Sequence, residues 1–271
     1  MTTEDGVVLH VEVDALDHVA PTVVFVSGIN TDLEFWSHQR RALAEHARMV
    51  LFDHRGHGRS GATAVSGATI EQLARDLREV LLATSATGPT VLVAHSMGGL
   101  VVAALGELYP EEFVELVDRV VLIDSVLGDW ARFALKMPRA LARPTVRVLR
   151  RLAPVARSAI RLVVRPARAA RLTRFLPGGP DEVMFAFAAA TALAEHGGDL
   201  RAFHDRNTLI IAGEDDSYLP LNTKKSLSRS IRGASLIVVP RGGHLTPVRR
   251  PAAVSSHLRT YLDTMMASPR G

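Results

Sequence analysis

Hydrophobic positions along the chain alternate between short unbroken runs and longer stretches with helical spacing. The unbroken runs at residues 22–26 and 49–52 are typical of strands that are buried on both faces of a sheet. Residues 7–13 instead alternate between apolar and polar positions, which predicts an antiparallel edge strand. Further buried strands are predicted at residues 90–93, 120–123, 208–212 and 235–239.

The stretches between these runs predict helices. Apolar residues recur at helical spacing over residues 33–46 and 69–83, and again near 222–231 and 251–265. Buried strands that alternate with helices indicate an α/β fold, with a mostly parallel sheet of eight or seven strands and helices on both faces. In such sheets the chemistry collects at the carboxyl ends of the strands.

One strand end carries the most informative feature of the sequence. Residues 91–99 read Val-Leu-Val-Ala-His-Ser-Met-Gly-Gly and lead into helical spacing, so Ser96 falls on a tight strand-to-helix turn. Small residues two before and two after the serine leave room for the neighbouring backbone, and the turn holds the hydroxyl exposed. This is the pattern of a nucleophile elbow, with Ala94 in place of the usual first glycine.

Composition limits the chemistry of the chain. It has no cysteine, which excludes disulfides and thiolate catalysis. His54, His57 and His95 have no carboxylate or thiolate cluster at a ligand spacing, so no metal site is predicted. No phosphate loop or dinucleotide fingerprint is present, and no cofactor is predicted. Without a secretory signal, and with the longest apolar stretch only at 183–194, we expect residence in the cytoplasm.

The charge distribution marks a separate structural unit. The formal net charge is +4, yet no acidic residue stands between Asp129 and Asp181, where arginine recurs 12 times. We predict that residues 125–206 form an insertion of short helices, with Val183 and Phe187 on an apolar face that could bind substrate. The arginines could dock on an anionic membrane surface or an acidic partner, or could reflect a general preference over lysine. Few aromatic residues and no reader motif argue against nucleic-acid binding.

Four further segments stand in a fixed order and spacing. They read Phe-Trp-Ser-His-Gln at 35–39, Leu-Phe-Asp-His-Arg-Gly-His-Gly-Arg-Ser at 51–60, Ala-Gly-Glu-Asp-Asp at 212–216 and Gly-Gly-His-Leu-Thr-Pro at 242–247. Together with the serine turn they resemble the α/β-hydrolase fold, over nearly the whole chain outside the insertion. The resemblance implies a core domain of residues 1–124 and 207–271, with a helical cap (lid) at 125–206 inserted after strand 6.

The resemblance also assigns roles to single residues. Ser96 would be the nucleophile, and His244 the base that takes its proton. Asp216 stands at the family's position for the acid that orients the histidine. Asp215 and Asp124 remain alternatives, because neighbouring residues at a strand end point in different directions and some family members take the acid from the strand after the elbow.

The family's oxyanion hole implies two backbone N–H groups, from Met97 and Ile29. The family's usual His-Gly pair is Ser27-Gly28 here, so the turn glycine is kept and the bracing histidine is lost. Trp36 could stack on a substrate, although its helical spacing with neighbouring leucines favours a place in the core.

The function implied by the resemblance is that of a serine hydrolase, which cleaves a small-molecule carboxylic ester with an apolar acyl or alcohol part through an acyl-enzyme. A serine at the elbow argues against haloalkane dehalogenase and epoxide hydrolase chemistry, because those enzymes use an aspartate there. Thioester hydrolysis, acyl transfer and C–C bond hydrolysis use the same three residues and stay open, as does a non-enzymatic receptor or scaffold. The sequence does not indicate the oligomeric state.

Overall fold

A computed structural model describes residues 1–16, 20–86, 88–125, 127–128, 183, 191, 196–197, 199–204 and 206–267 of the chain. Nearly all of the predicted insertion lies outside these residues, including its arginine-rich stretch and Phe187. The cap, its apolar face and its docking on a membrane surface or an acidic partner therefore stay predictions.

The described residues form one sheet of seven strands. These are β1 (Val11–Asp14), β2 (Thr22–Val26), β3 (Arg48–Phe52), β4 (Thr90–His95), β5 (Arg119–Ile123), β6 (Leu209–Gly213) and β7 (Ser235–Val239). Their order across the sheet is β1-β3-β2-β4-β5-β6-β7. The edge strand β1 pairs antiparallel with β3, and every other neighbouring pair is parallel. This confirms the predicted mostly parallel sheet with its antiparallel edge.

Helices cover both faces of this sheet. They are α1 (Ser37–Leu43), α2 (Ile70–Thr84), α3 (Met97–Leu108), α4 (Pro110–Leu116), α5 (Leu221–Ser230), α6 (Thr246–Arg249) and α7 (Pro251–Ala267). Alternate residues of β2 enter two separate hydrophobic clusters: Val24 and Val26 pack with α2 and α3, while Val23 and Phe25 pack with α1 and α7. Among the helices described, none has both the length and the apolarity that a membrane span requires.

Some element boundaries differ from the prediction for identifiable reasons. The helix expected at 33–46 is a 3₁₀ turn at Leu33–Trp36 followed by α1. The short helix α4 was not predicted; it begins at Pro110, whose missing N–H and fixed φ suit the first turn of a new helix. Because β5 is the fifth strand along the chain, an insertion beginning at residue 125 follows the fifth strand of this sheet and not the sixth.

The loop after β3 is fixed by the buried carboxylate of Asp53. Its Oδ1 accepts a hydrogen bond from the Leu33 amide at 2.7 Å, and its Oδ2 accepts one from the Arg59 amide at 2.7 Å. Gly58 has a φ of +50°, and a Cβ there would lie 2.3 Å from Asp53 Oδ2. Only glycine therefore lets this loop fold tightly over the carboxylate.

A buried ion pair ties the same loop to α2. The guanidinium of Arg55 donates to both carboxylate oxygens of Asp76, at 2.6 and 2.5 Å, and its NH1 donates to Asp5 at 2.7 Å. The Arg55 and Asp76 side chains are 1% and 0% exposed. A buried charge of this kind is tolerated only while it is paired, so the three residues act as one unit.

We expect Asp76→Asn to lower the free energy of unfolding by about 3 kcal/mol, because it leaves the buried Arg55 guanidinium without its main counter-charge. The matched control is Arg59→Ala, which removes a surface ion pair to Glu12 from a side chain that is 57% exposed. Such pairs contribute below about 1 kcal/mol. Urea denaturation at neutral pH measures both values, and equal small losses would contradict the assigned role of the buried pair.

Candidate active site

Ser96 lies between the end of β4 and the first residue of α3, in a strained backbone conformation. Its φ is +51° and its ψ is −118°, a region that non-glycine residues rarely adopt. The turn is closely packed, since a Cβ on Gly98 would lie 2.3 Å from the carbonyl oxygen of Val26. Ala94, which replaces the usual glycine, is fully buried in this turn. The strain and the packing together hold the serine side chain at the carboxyl edge of the sheet.

The structure brings the side chains of Ser96, His244 and Asp216 into one hydrogen-bonded line. Ser96 Oγ lies 2.9 Å from His244 Nε2, and His244 Nδ1 lies 2.9 Å from Asp216 Oδ2. Because an ionised carboxylate can only accept, Nδ1 carries the proton and Nε2 is the nitrogen that can take one from the serine. His244 follows β7 and Asp216 follows β6, so the parallel sheet places all three at one edge.

The other two candidate acids have different partners. Asp215 Oδ1 accepts a hydrogen bond from the Gly243 amide at 2.7 Å, which supports the loop that carries His244. Asp124 is fully buried and accepts from the amides of Gly213 at 2.7 Å and Thr246 at 3.1 Å. Of the three carboxylates, the structure thus places Asp216 against the histidine ring.

Hydrogen bonds hold Asp216 in its ionised form. Burial raises the pKa of its carboxyl, but the hydrogen bond to His244, the Leu219 amide and the ammonium of Lys224 outweigh burial and bring the pKa to about 2. The amides of Tyr218 and Leu219 both donate to Oδ1, at 2.9 and 3.0 Å. Oδ2 accepts from His244 Nδ1 and from Lys224 Nζ, so the carboxylate is fixed in one orientation.

Lys224 is a residue of this site that the sequence patterns did not predict. It extends from α5, is completely buried, and its Nζ lies 2.6 Å from Asp216 Oδ2 and 3.0 Å from Asp124 Oδ1. A signal was available, since Lys224 stands three residues after Leu221 and three before Leu227, on the apolar side of its helix. A lysine at such a position needs a buried counter-charge.

Buried histidines support the backbone around the serine. His95 Nε2 donates to the carbonyl oxygen of His244 at 2.8 Å, and burial, together with the neighbouring His244, lowers the pKa of His95 to about 4. His54 Nε2 donates to the carbonyl oxygen of Ser27 at 3.1 Å, and burial lowers its pKa to about 3. Both rings are therefore neutral at physiological pH. Within the part of the chain that the structure describes, no group of three or more potential ligands could hold a metal ion.

The loop predicted to supply one oxyanion donor runs directly against the serine. A Cβ on Gly28 would lie 3.2 Å from Ser96 Cβ, and Asn30 turns the chain with a φ of +56°. Ile29 stands between these two residues, beside the elbow. Met97 is the first residue of α3, where backbone N–H groups have no partner within the helix and the helix dipole favours negative charge.

The residues predicted to contact substrate lie in different surroundings. Trp36 is fully buried, and its Nε1 donates to Ser27 Oγ at 3.0 Å, so it belongs to the core and does not present its ring to a substrate. Val183 is half-buried against the cluster under α2 and α3, and Phe187 lies outside the described residues. Tyr218, which was not predicted, is 67% exposed with its ring 5.2 Å from that of His244.

Comparison with known proteins gives consistent matches along the chain. Residues 21–153 match the family described as alpha/beta hydrolase fold, and residues 191–270 match the family described as TAP-like protein. A Variovorax paradoxus protein named as a carbamate hydrolase, RutD, is 30% identical over 258 residues, which cover 90% of this chain and 92% of the relative.

Solved structures agree with these sequence matches. The enol-lactonase of Burkholderia xenovorans has a TM-score of 0.66 at 25% identity, and the match covers 94% of this chain and 96% of that one. A thermophilic esterase of Thermogutta terrifontis has a TM-score of 0.69 at 24% identity, and the match covers 97% of this chain and 96% of that one. The esterase match shows a shared fold.

We expect Gly98→Ala to destabilise the protein by about 1–3 kcal/mol, because the added methyl group meets the Val26 carbonyl and forces the elbow apart. Ala94→Gly is the comparison at the matching position before the serine; it introduces no clash, and we expect it to cost about 1–2 kcal/mol through chain entropy and the loss of one buried methyl group. Urea denaturation of both variants decides, and a Gly98→Ala protein as stable as the wild type would show that the turn is less tightly packed than described.

Proposed function

This chain belongs to the α/β-hydrolase superfamily, and from that premise we propose that it is a serine hydrolase that cleaves a carboxylic ester through an acyl-enzyme on Ser96. The observation that supports this most strongly is the line of hydrogen bonds from Ser96 through His244 to Asp216. The relative named as a carbamate hydrolase supports hydrolysis of a carbonyl compound over binding alone.

The first half of the proposed reaction acylates the enzyme. Ser96 Oγ forms a bond to the ester carbonyl carbon while its proton passes to His244 Nε2, and the carbonyl electron pair moves to oxygen. The Asp216 carboxylate stabilises the imidazolium through Nδ1. When the carbon–oxygen bond to the leaving group breaks, the alcohol oxygen takes the proton from Nε2, and the acyl group stays on the serine.

The second half releases the acid. A water molecule gives a proton to His244 Nε2 and attacks the acyl carbon, and Ser96 Oγ leaves with that proton. In both halves the negative charge develops on the former carbonyl oxygen. The proposed donors to it are the N–H groups of Met97 and Ile29, and loss of one such donor costs about 2.7–4 kcal/mol in other hydrolases.

The proposed substrate is a small ester with an apolar acyl or alcohol part. Its apolar part is proposed to lie near the exposed ring of Tyr218 and beneath the predicted cap. The names of the relatives add carbamates and lactones as related carbonyl substrates. Thioester hydrolysis, acyl transfer and C–C bond hydrolysis are competing activities on the same three residues.

The nucleophile is tested with a fluorophosphonate probe, which phosphonylates an activated serine. We expect the wild-type protein to be labelled and to hydrolyse p-nitrophenyl esters, with higher kcat/KM on acyl chains of several carbons than on acetate. Ser96→Ala should lose both labelling and turnover, because no other group takes over the attack. Labelling that persists in Ser96→Ala, or wild-type turnover of carbamates but of no ester, would contradict the proposal.

The acid is tested by the same amide substitution at two adjacent positions. Asp216→Asn should lower kcat about 10⁴-fold, because the neutral amide neither fixes the histidine tautomer nor stabilises the imidazolium. Asp215→Asn retains an oxygen that can accept from the Gly243 amide, so its kcat should fall less than tenfold. Steady-state kinetics on the ester with the highest kcat/KM give kcat for both variants. A larger loss of kcat in Asp215→Asn than in Asp216→Asn would assign the role of the acid to Asp215 instead.

A further inference from the structure

The ammonium of Lys224 is completely buried between two buried carboxylates. Its Nζ lies 2.6 Å from Asp216 Oδ2 and 3.0 Å from Asp124 Oδ1, and all three side chains are 0% exposed. Burying three charged groups costs several kcal/mol per ion unless their mutual attraction offsets it. An arrangement with this cost, beside the proposed triad, calls for an explanation beyond packing.

The same carboxylate oxygen serves both the lysine and the histidine. Asp216 Oδ2 accepts from Lys224 Nζ and from His244 Nδ1 at 2.9 Å. A single oxygen atom therefore separates the ammonium of Lys224 from the imidazole of His244. At this short distance, in a buried site, the positive charge of the ammonium opposes protonation of the ring.

The second carboxylate holds the ends of the surrounding strands together. Asp124 follows β5, and it accepts from the Gly213 amide at the end of β6 and from the Thr246 amide at the start of α6. Its own backbone is strained, with a φ of +46°. Asp124 thus places a buried negative charge next to the triad while it ties together the loops that carry Asp216 and His244.

The sum of the charges around His244 shows the electrostatic effect of Lys224. With Asp124 and Asp216 ionised, these two carboxylates and the ammonium of Lys224 carry a net charge of −1 while His244 is neutral. When His244 becomes an imidazolium during the reaction, the four side chains together carry no net charge. Without the ammonium the group would carry −2, and buried like charges of that kind take up a proton at higher pH. When that proton goes to the imidazole of His244, the ring loses its base form.

We propose that Lys224 is a positioning residue for His244: by pairing with both Asp124 and Asp216, it keeps the proposed triad in its deprotonated working form while a second carboxylate braces the loops. This inference rests on the proposed serine hydrolase mechanism. It assigns Asp124 and Lys224 opposite electrostatic effects on the pH at which His244 becomes a base.

Other titratable and charged groups near His244 stay the same in every variant below. The His95 ring lies 5.3 Å away, and its lowered pKa, about 4, keeps it neutral over the range of interest. Within the described residues, the nearby groups also include the phenol of Tyr218, the carboxylate of Asp215 on the Gly243 amide, and the guanidinium of Arg249, which would lie 2.4 Å from a Cβ on Gly243.

The test measures how the rate of Ser96 labelling by a fluorophosphonate depends on pH, which needs no knowledge of the natural substrate. The rate rises with pH as His244 loses its proton, and the midpoint of that rise is the readout. Lys224→Met, similar in length and uncharged, should move the midpoint up by about one pH unit or more. Lys225→Met, at the exposed neighbouring position on α5, is the matched control and should leave the midpoint in place.

Two further variants separate electrostatics from packing. Asp124→Asn leaves Lys224 and Asp216 as a neutral pair, so its midpoint should move down by a similar amount. In the double variant Lys224→Met with Asp124→Asn, the local charge returns to −1, and the midpoint should lie within about half a unit of the wild type. A purely structural role would lower the rate in all three variants without moving the midpoint in opposite directions.

An unchanged midpoint in Lys224→Met, or shifts of the same sign in Lys224→Met and Asp124→Asn, would overturn the inference. Circular dichroism establishes that each variant is folded, and if Lys224→Met is not, the sign of the shift in Asp124→Asn decides. Failure of the proposed function has a different signature, since the wild-type protein would then give no labelling at any pH. Failure of the inference alone leaves a normal wild-type profile that the variants do not move as predicted.

Discussion

The hydrogen bond between Ser96 Oγ and His244 Nε2 joins residues that are 148 positions apart, and the rest of the described site serves to keep that contact in place. The serine is held by a strained turn that glycine and alanine make possible. Three hydrogen bonds hold His244 in place. Asp216 accepts from its Nδ1, His95 donates to its main-chain carbonyl oxygen, and Asp215 accepts from the amide of the preceding residue. These supports come from the end of β4 and from the loop after β6, which lie at one edge of the parallel sheet.

The electrostatics of this edge follow from its burial. In a dry environment a carboxylate is stable only when its oxygens are satisfied, and both oxygens of Asp216 accept hydrogen bonds. The ammonium of Lys224 is stable for the same reason, because two carboxylates flank it. Packing and charge therefore act together at this site. Moving any of these groups would leave a buried charge without its partner and would displace the histidine ring.

Most of the fold could be predicted from the sequence because its strands are unbroken apolar runs. Strands β2 and β7 begin and end where the pattern predicted. It singled out Ser96 and His244 as candidates because each stands in a recognisable local motif, and the structure shows them within hydrogen-bond distance. Local patterns could not choose among Asp124, Asp215 and Asp216, since that choice depends on where each side chain points. Lys224 was missed because its partners lie 100 residues away at Asp124 and 8 residues away at Asp216.

Trapping the covalent intermediate shows directly whether Ser96 is the nucleophile of this hydrogen-bonded line. The protein is mixed with a slowly hydrolysed p-nitrophenyl ester, quenched in acid within the first turnover, digested, and mapped by mass spectrometry. We expect one acyl group per chain on the peptide that contains Ser96. An acyl group on any other residue, or rapid p-nitrophenol release with no acylated peptide, would contradict it.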